Sequence, residues 1–148
     1  MATFASITPT TEKDGIAYCT SAPVTTTEAD LGTPISLIYH QALVASVALA
    51  LGGTTSPTYI VLQTDLGDGN WIDVAWLTTT DTTGTDLFLL SAGVAGANAV
   101  AQTRAAGTGP SSNGSNQVPL GARFRFVGKT GANSKATVTI TYKLLGLR

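Results

Sequence analysis

The sequence predicts an all-β protein, an antiparallel β-sandwich of the jelly-roll-like or Ig-like kind with an extended N-terminal arm. Residues 136–144 alternate apolar and polar side chains with a period of two, and residues 123–126 alternate Arg and Phe. Clusters of Gly, Asp, Asn, Ser and Thr, which are typical of turns, separate such segments. Short strands bounded by turn residues favour a sandwich over a helical fold.

The chain has 148 residues, the usual length of one domain with a core of its own. We expect an arm over residues 1–33 and a sandwich domain over residues 34–148. Residues 91–117 form a long loop rich in Gly, Ala and Ser, and loops of this length are usually functional or mobile. The apolar segment LFLL at 87–90, just before it, is either a sheet edge or the start of a longer excursion.

The arm is predicted from the isolation of its large apolar side chains. Residues 1–33 are rich in Thr and show neither a helical nor an alternating period. We expect this segment to be extended, with room for one or two short strands, and to be ordered by what it lies against. It is our first candidate for a partner contact.

Residues 42–51, ALVASVALAL, fit two secondary structures. Val47 shares a face with Leu43 in a helix and with Leu49 in a strand. No Ser, Thr, Asp or Asn directly precedes the segment to cap a helix. Because the next segments are strands, we favour a strand.

A β-hairpin is predicted from Tyr59 to Trp76. Its strands are TYIVLQT and WIDVAWL, and the turn residues DLGDGN join them. Asp68 and Gly69 tolerate the positive φ that a tight turn between twisted strands needs. By parity along the second strand, Trp71 and Trp76 lie on opposite faces. We expect Trp76 in the core and Trp71 at the surface, where it could anchor a partner or a sugar.

Two segments near the end of the chain are expected to pair as a closing hairpin. In VPLGARFRFVGK, Phe124 and Phe126 share one face, and Arg123 and Arg125 share the other. ATVTITYKL, at residues 136–144, is the clearest alternating pattern and predicts a buried apolar face and an outer row of Thr. The outward arginines either solvate a sheet edge, the interpretation that we favour, or bind an acidic partner.

Composition indicates association rather than chemistry. Charged residues make up 11% of the chain, against roughly 25% in an ordinary soluble domain, and the net charge is −1. Such a surface does little to keep copies apart, so we expect a homo-oligomer, a dimer or a trimer, or docking on another protein. Eight Lys and Arg cannot neutralise a run of phosphates, which argues against nucleic acid.

Other features of the sequence argue against export and membranes. A single cysteine, Cys19, allows no internal disulfide. No basic region followed by an apolar stretch is visible at the N-terminus, so no secretory signal is expected. The longest apolar run reaches about half of the ~20 residues that a membrane-spanning helix needs.

The inventory of reactive side chains predicts neither an enzyme nor a cofactor. His40 has no nucleophile motif to serve and is expected to be structural, and Cys19 is expected to be a small semi-buried side chain. One Cys and one His cannot make a zinc site. Asp65, Asp68 and Asn70 could offer oxygens to calcium, but the calcium-loop spacing and its Glu are missing, so turn geometry is favoured.

The order of segments over residues 43–147 resembles the small β-sandwich modules of tailed-bacteriophage virions. The likeness rests on four segments, LVASVALAL, GGTTSPT, YIVLQTDLGDGNWIDVAW and LGARFRFVGKTGANSKATVTITYKLLG. The resemblance implies a structural virion protein, a decoration or cement protein of the head that binds the major capsid protein and is assembled in the host cytoplasm. The alternatives are a tail, adaptor or fibre-associated protein and a carbohydrate-binding module that uses Trp71. The candidate partner contacts are Phe4, Ile7, Ile16, Tyr18, Trp71, Arg123 and Arg125.

Overall fold

A computed structural model describes residues 17–53, 57–93, 109–110, 112–116, 118–131 and 134–146. No helix long and apolar enough to cross a membrane is found among them. These ranges contain ten strands: β1 Ala17–Pro23, β2 Ala29–Asp30, β3 Ile35–Ser36, β4 Ala42–Gly52, β5 Thr58–Asp65, β6 Ile72–Thr79, β7 Thr83–Ala92, β8 Gly114–Ser115, β9 Arg123–Lys129 and β10 Ala136–Leu145.

The strands form two antiparallel sheets that face each other. The four-stranded sheet has the order β1-β10-β4-β7, and the six-stranded sheet has the order β2-β9-β5-β6-β8, with β3 also paired to β9. Because β2 and β3 both pair with β9, they act as one interrupted strand. The predicted antiparallel sandwich is confirmed.

The strand order also decides between the two predicted kinds of sandwich. With β2 and β3 counted as one strand and the short β8 set aside, eight main strands remain. The first, eighth, third and sixth of them form one sheet, and the second, seventh, fourth and fifth form the other. This arrangement is a jelly roll.

The strand prediction for residues 42–51 is confirmed by β4. This strand pairs on one side with β10 and on the other with β7, along its whole length. Leu43, Val47 and Leu49 point into the core and are fully buried, whereas Ser46 and Ala50 are exposed. The predicted hairpin of β5 and β6 is confirmed as well.

The predicted closing hairpin is wrong, because β9 and β10 lie in different sheets. β9 lies between β2 and β5, whereas β10 lies between β1 and β4. Their apolar faces meet across the core, where the rings of Phe124 and Tyr142 pack edge to face with centroids 5.2 Å apart. The alternation correctly predicted which side chains are buried. It could not predict the pairing, because a hairpin of β9 and β10 and their placement in two facing sheets bury the same faces.

The predicted boundary between arm and sandwich at residue 34 also needs correction. β1 pairs with β10 and β2 pairs with β9, so residues 17–33 contribute to both sheets. Tyr18, Val24 and Leu31 belong to the main core. The strands here are short or irregular, with register shifts in β1 and a positive φ of 55° at Ser21, so no regular period marks them in the sequence.

Candidate association surfaces

Both tryptophans lie on the outer face of the six-stranded sheet, which corrects the prediction that Trp76 is in the core. In the β5–β6 pair, Leu62 lies opposite Ala75 and Gln63 lies opposite Asp73, so Val74 is an extra residue. Such a β-bulge shifts the alternation of side chains by one position. Trp76 therefore packs outside, on a small cluster of Tyr59, Val61 and Val127.

This outer cluster is covered by the last part of the predicted loop. β8 pairs with β6, and the backbone at Gly114 lies so close to Trp76 that a Cβ there would be 3.0 Å from the ring. A Cβ at Gly109 would be 2.7 Å from the ring of Tyr59. The Asn116 side chain donates to the Asp73 carbonyl at 2.8 Å. Glycines in this stretch thus allow close contact with aromatic rings.

Trp71 is half-buried beneath two guanidinium groups. The Cζ atom of Arg125 is 4.2 Å from the ring centroid, and that of Arg123 is 5.0 Å away. These distances are those of cation–π contacts. The predicted surface anchor is therefore already engaged within the chain, and its surroundings do not favour a sugar-stacking role.

The two arginines are bound to acids and amides of their own chain. Arg123 forms a two-pronged ion pair with Asp65, whose side chain is completely buried, and this hydrogen bonding raises the pKa of Arg123. Arg125 donates to the Gln63 side chain at 2.9 Å and to Asp30 at 3.1 Å. Because β9 is an inner strand, the predicted edge role does not apply. Their present bonds also leave the predicted acidic partner without support.

Turn geometry explains the acids of the β5–β6 hairpin. Asp65 accepts a hydrogen bond from the Gly69 backbone at 3.0 Å, and Asp68 accepts two from Asn70, which lower the pKa of Asp68. Positive φ angles occur at Gly67 and Gly69 and not at Asp68, where one was expected. In the described ranges, no group of three or more His, Cys, Asp or Glu is arranged to hold a metal ion.

The remaining predicted residues are distributed as follows. Tyr18 is buried, and its hydroxyl accepts a hydrogen bond from the Phe126 backbone at 3.1 Å, so the prediction that it contacts a partner does not fit this position. Cys19 is buried as well, which raises the pKa of its thiol and opposes reactivity. His40 is half-buried between β3 and β4. Phe4, Ile7 and Ile16 lie outside the described residues.

The buried thiol and phenol predict a loss of stability in alkaline solution. Burial raises the pKa of both Cys19 and Tyr18, so the folded chain keeps protons that the unfolded chain releases above about pH 8.5 for the thiol and about pH 10 for the phenol. Since the unfolded state then binds fewer protons, the free energy of unfolding is expected to fall as the pH rises from 8 to 11.

Urea unfolding at a series of pH values measures this effect. Tyr18→Phe should weaken the decline above about pH 10, because its unfolded state has one phenol fewer to ionise. The matched control, Tyr39→Phe, removes the hydroxyl of an exposed ring, so a difference between the two variants reports on the burial of Tyr18. Equal slopes in the two variants would contradict the assignment to Tyr18.

The outer face of the four-stranded sheet is broad and almost uncharged. The outward positions of β4, β7 and β10 carry small, hydroxyl or aliphatic side chains and a single charge, Lys143. The predicted outer row of Thr is present at residues 137, 139 and 141. At one border of this face, Leu87 and Leu89 of β7 are 77% and 75% exposed. These leucines were not among the predicted contacts. The sequence LFLL could have indicated them, because a strand that is apolar on both faces exposes apolar side chains on its outer face.

The fold and this surface define a jelly-roll β-sandwich with an exposed apolar edge. No family model and no curated protein sequence matches the chain. Among solved structures, a chain of "Cowpea mosaic virus top component (CPMV-T) - naturally occurring empty particles" matches with 13% identity, over 99% of this chain and 94% of that one, at a TM-score of 0.35. The resemblance to tailed-phage modules stays a prediction.

Proposed function

We propose that this chain is a structural protein of a virion, a decoration or cement protein that binds the major capsid protein and stabilises the head. The jelly roll supports the proposal, because viral capsid domains are among the proteins that use it. Lectins and cupins use it too, so the fold alone does not assign a function. The observation that carries the proposal is the almost uncharged outer face of the four-stranded sheet, bordered by Leu87 and Leu89.

A surface of this kind suits a protein that is repeated over a shell. Exposed leucines and small hydroxyl side chains can be buried against another protein without stripping water from charges. In a shell, each contact can be weak, because neighbouring copies are held together at a high effective concentration. Sheet edges add main-chain hydrogen bonds that depend little on side-chain sequence. The arm residues Phe4, Ile7 and Ile16 remain predicted contacts to the capsid.

The test is to produce the chain together with the major capsid protein encoded in the same genome. We expect the chain to sediment with the assembled shells in a fixed ratio to the capsid protein. Image reconstruction should then place it at repeated positions over the head. Density at a single vertex or along the tail would instead indicate the tail or adaptor alternative. Shells without the chain, while folded chain stays in the supernatant, would contradict a virion role.

Variants of the full chain separate the two predicted contact regions. Replacing Phe4, Ile7 and Ile16 by Ser tests the arm and changes no residue of the core described above. Reduced binding to shells, with unchanged folding by circular dichroism, would support the arm as a contact. Unchanged binding would contradict it.

A further inference from the structure

The four sheet edges of the sandwich differ in how well they are protected against pairing with another strand. β1 is broken by two register shifts and ends at Pro23, while the six-stranded sheet is bordered by the two-residue strands β2, β3 and β8. Short strands, bulges and proline are the usual means of blocking edge-to-edge association. Three of the four edges in the described part of the chain therefore carry such protection.

β7 carries none of these protections. It has ten residues and pairs with β4 at consecutive positions without a register shift. Its sequence, TGTDLFLLSA, contains no Pro, Lys or Arg. No other described strand pairs with its second side. A long, regular edge with an apolar stretch, here LFLL at residues 87–90, is a template for a further strand.

Leu87 and Leu89 give this edge exposed apolar surface on its outer face. Both project beside small residues of β4, since Leu87 lies opposite Ala48 and Leu89 opposite Ser46. These small neighbours cannot cover them, which accounts for exposures of 77% and 75%. Burial of such side chains is the main favourable contribution to association.

We propose that the β7 edge binds the β7 edge of a second copy of this chain. The two strands run antiparallel about a two-fold axis and join the four-stranded sheets into one continuous eight-stranded sheet. Such an interface uses the same surface of both copies, as two-fold dimers require. The inference goes beyond the proposed function, because this dimer forms without a capsid.

The positions of the leucines select the register. In an antiparallel pair, directly opposite residues point to the same face, so Leu87 meets the outward face of its partner strand only in every second register. The register in which Phe88 lies opposite Phe88 of the second copy places Leu87 of each copy opposite Leu89 of the other. A shift by two residues to either side would place one leucine of each copy opposite Thr85 or Ser91. Centring on Phe88 therefore buries the most apolar surface.

Charge is compatible with this register. The one charged residue of β7, Asp86, would lie opposite Leu90 of the second copy. The two Asp86 residues would be four positions apart along the strands, about 14 Å at ~3.4 Å per residue. This separation exceeds the screening length of about 8–10 Å at ordinary salt concentrations. No like charges oppose each other across the pair.

A cleft beside the edge enlarges the contact. It has a volume of about 320 Å³ and is bounded by Phe88 and Leu90 on one wall and by Trp76 and Gly114 on the other. The inward side chains of an added strand would lie over this cleft. One edge and one cleft make a small interface, so we expect a dimer that dissociates on dilution.

Sedimentation of the full chain over a range of concentrations tests the dimer. The mass is expected to double with rising concentration. The double variant Leu87→Lys/Leu89→Lys should weaken the dimer by about tenfold or more, since lysines at an edge oppose pairing. The matched control, Leu66→Lys, changes a leucine that is 77% exposed in the hairpin turn and should leave the dimer intact. A monomer at every concentration, or a dimer that survives the double variant, would overturn the inference.

Cysteine cross-linking tests the register. A mixture of Leu87→Cys chains and Leu89→Cys chains should form a disulfide-linked dimer, because directly opposite residues have the spacing that a disulfide needs. Each variant alone should cross-link more slowly, since its cysteines lie diagonally. Cys19 is buried and should not interfere. Faster cross-linking in either single variant would overturn the register.

The outcomes also separate this inference from the proposed function. A chain that stays monomeric but sediments with shells would overturn the dimer and support the virion role. A chain that dimerises through β7 but never binds shells would do the reverse.

Discussion

Replacing Phe124 by Ala is expected to lower the free energy of unfolding by about 3–5 kcal/mol. The side chain is fully buried, and its ring touches aromatic rings from both sheets, with centroids 5.2 Å from Tyr142, 5.7 Å from Tyr18 and 6.2 Å from Phe126. Truncation removes the apolar contacts of a large ring and leaves a cavity where β9 meets β1 and β10. Two rigid sheets close such a cavity poorly, which places the cost in the upper part of the range for core residues.

Urea unfolding followed by tryptophan fluorescence measures this cost. All variants are compared at one chain concentration, because association of the folded state would make the apparent stability depend on it. Leu66→Ala, at an exposed position, should change the free energy by about 0.5 kcal/mol or less. If Phe124→Ala does not fold, Phe124→Leu gives a smaller and measurable loss. A change at Phe124 no larger than that at Leu66 would contradict the core described above.

Replacing Arg123 by Met is expected to cost about 2–4 kcal/mol, the second largest effect. Arg123 is the ion-pair partner of Asp65, whose side chain is 0% exposed, while the Arg123 side chain is 29% exposed. Methionine keeps an apolar stem of similar length, so the variant mainly removes the charge and its hydrogen bonds. The Asp65 carboxylate would then be left buried with its backbone hydrogen bond from Gly69 but without a counter-ion.

A more exposed pair provides the control for this prediction. Asp30→Asn removes the charge of a side chain that is 41% exposed and pairs with Arg125. Exposed pairs contribute about 0–1 kcal/mol, so this variant should remain close to the wild type. Equal losses at the two pairs would show that burial of Asp65 does not set the cost.

The predicted surface residues show what sequence could and could not reveal about the candidate site. Alternation in β9 correctly placed Arg123 and Arg125 opposite the core. Their partners could not be read in the same way, since Asp65 lies 58 positions from Arg123 and Asp30 lies 95 positions from Arg125. The arginines were therefore predicted to meet water or a partner, whereas in the folded chain they meet acids and Trp71.

Local sequence determined the long strands β4, β5, β6, β9 and β10 and, in β4, β9 and β10, the buried face. A period of two marks β9 and β10 because successive side chains of a strand point to opposite sides, a property that each strand has by itself. The turn between β5 and β6 is local in the same sense, since Gly67 and Gly69 supply its positive φ angles. These features needed no knowledge of distant contacts.

Only the tertiary structure decided which strands pair and which outward residues are covered. β9 and β10 follow each other in the chain but lie in opposite sheets, and one extra residue at Val74 moved Trp76 from the core face to the outer face. Exposure of Leu87 and Leu89 likewise depends on small neighbours in β4, more than 30 positions away in the chain. Pairing and coverage are contacts between distant segments, and their free energy depends on the whole set of partners that folding brings together.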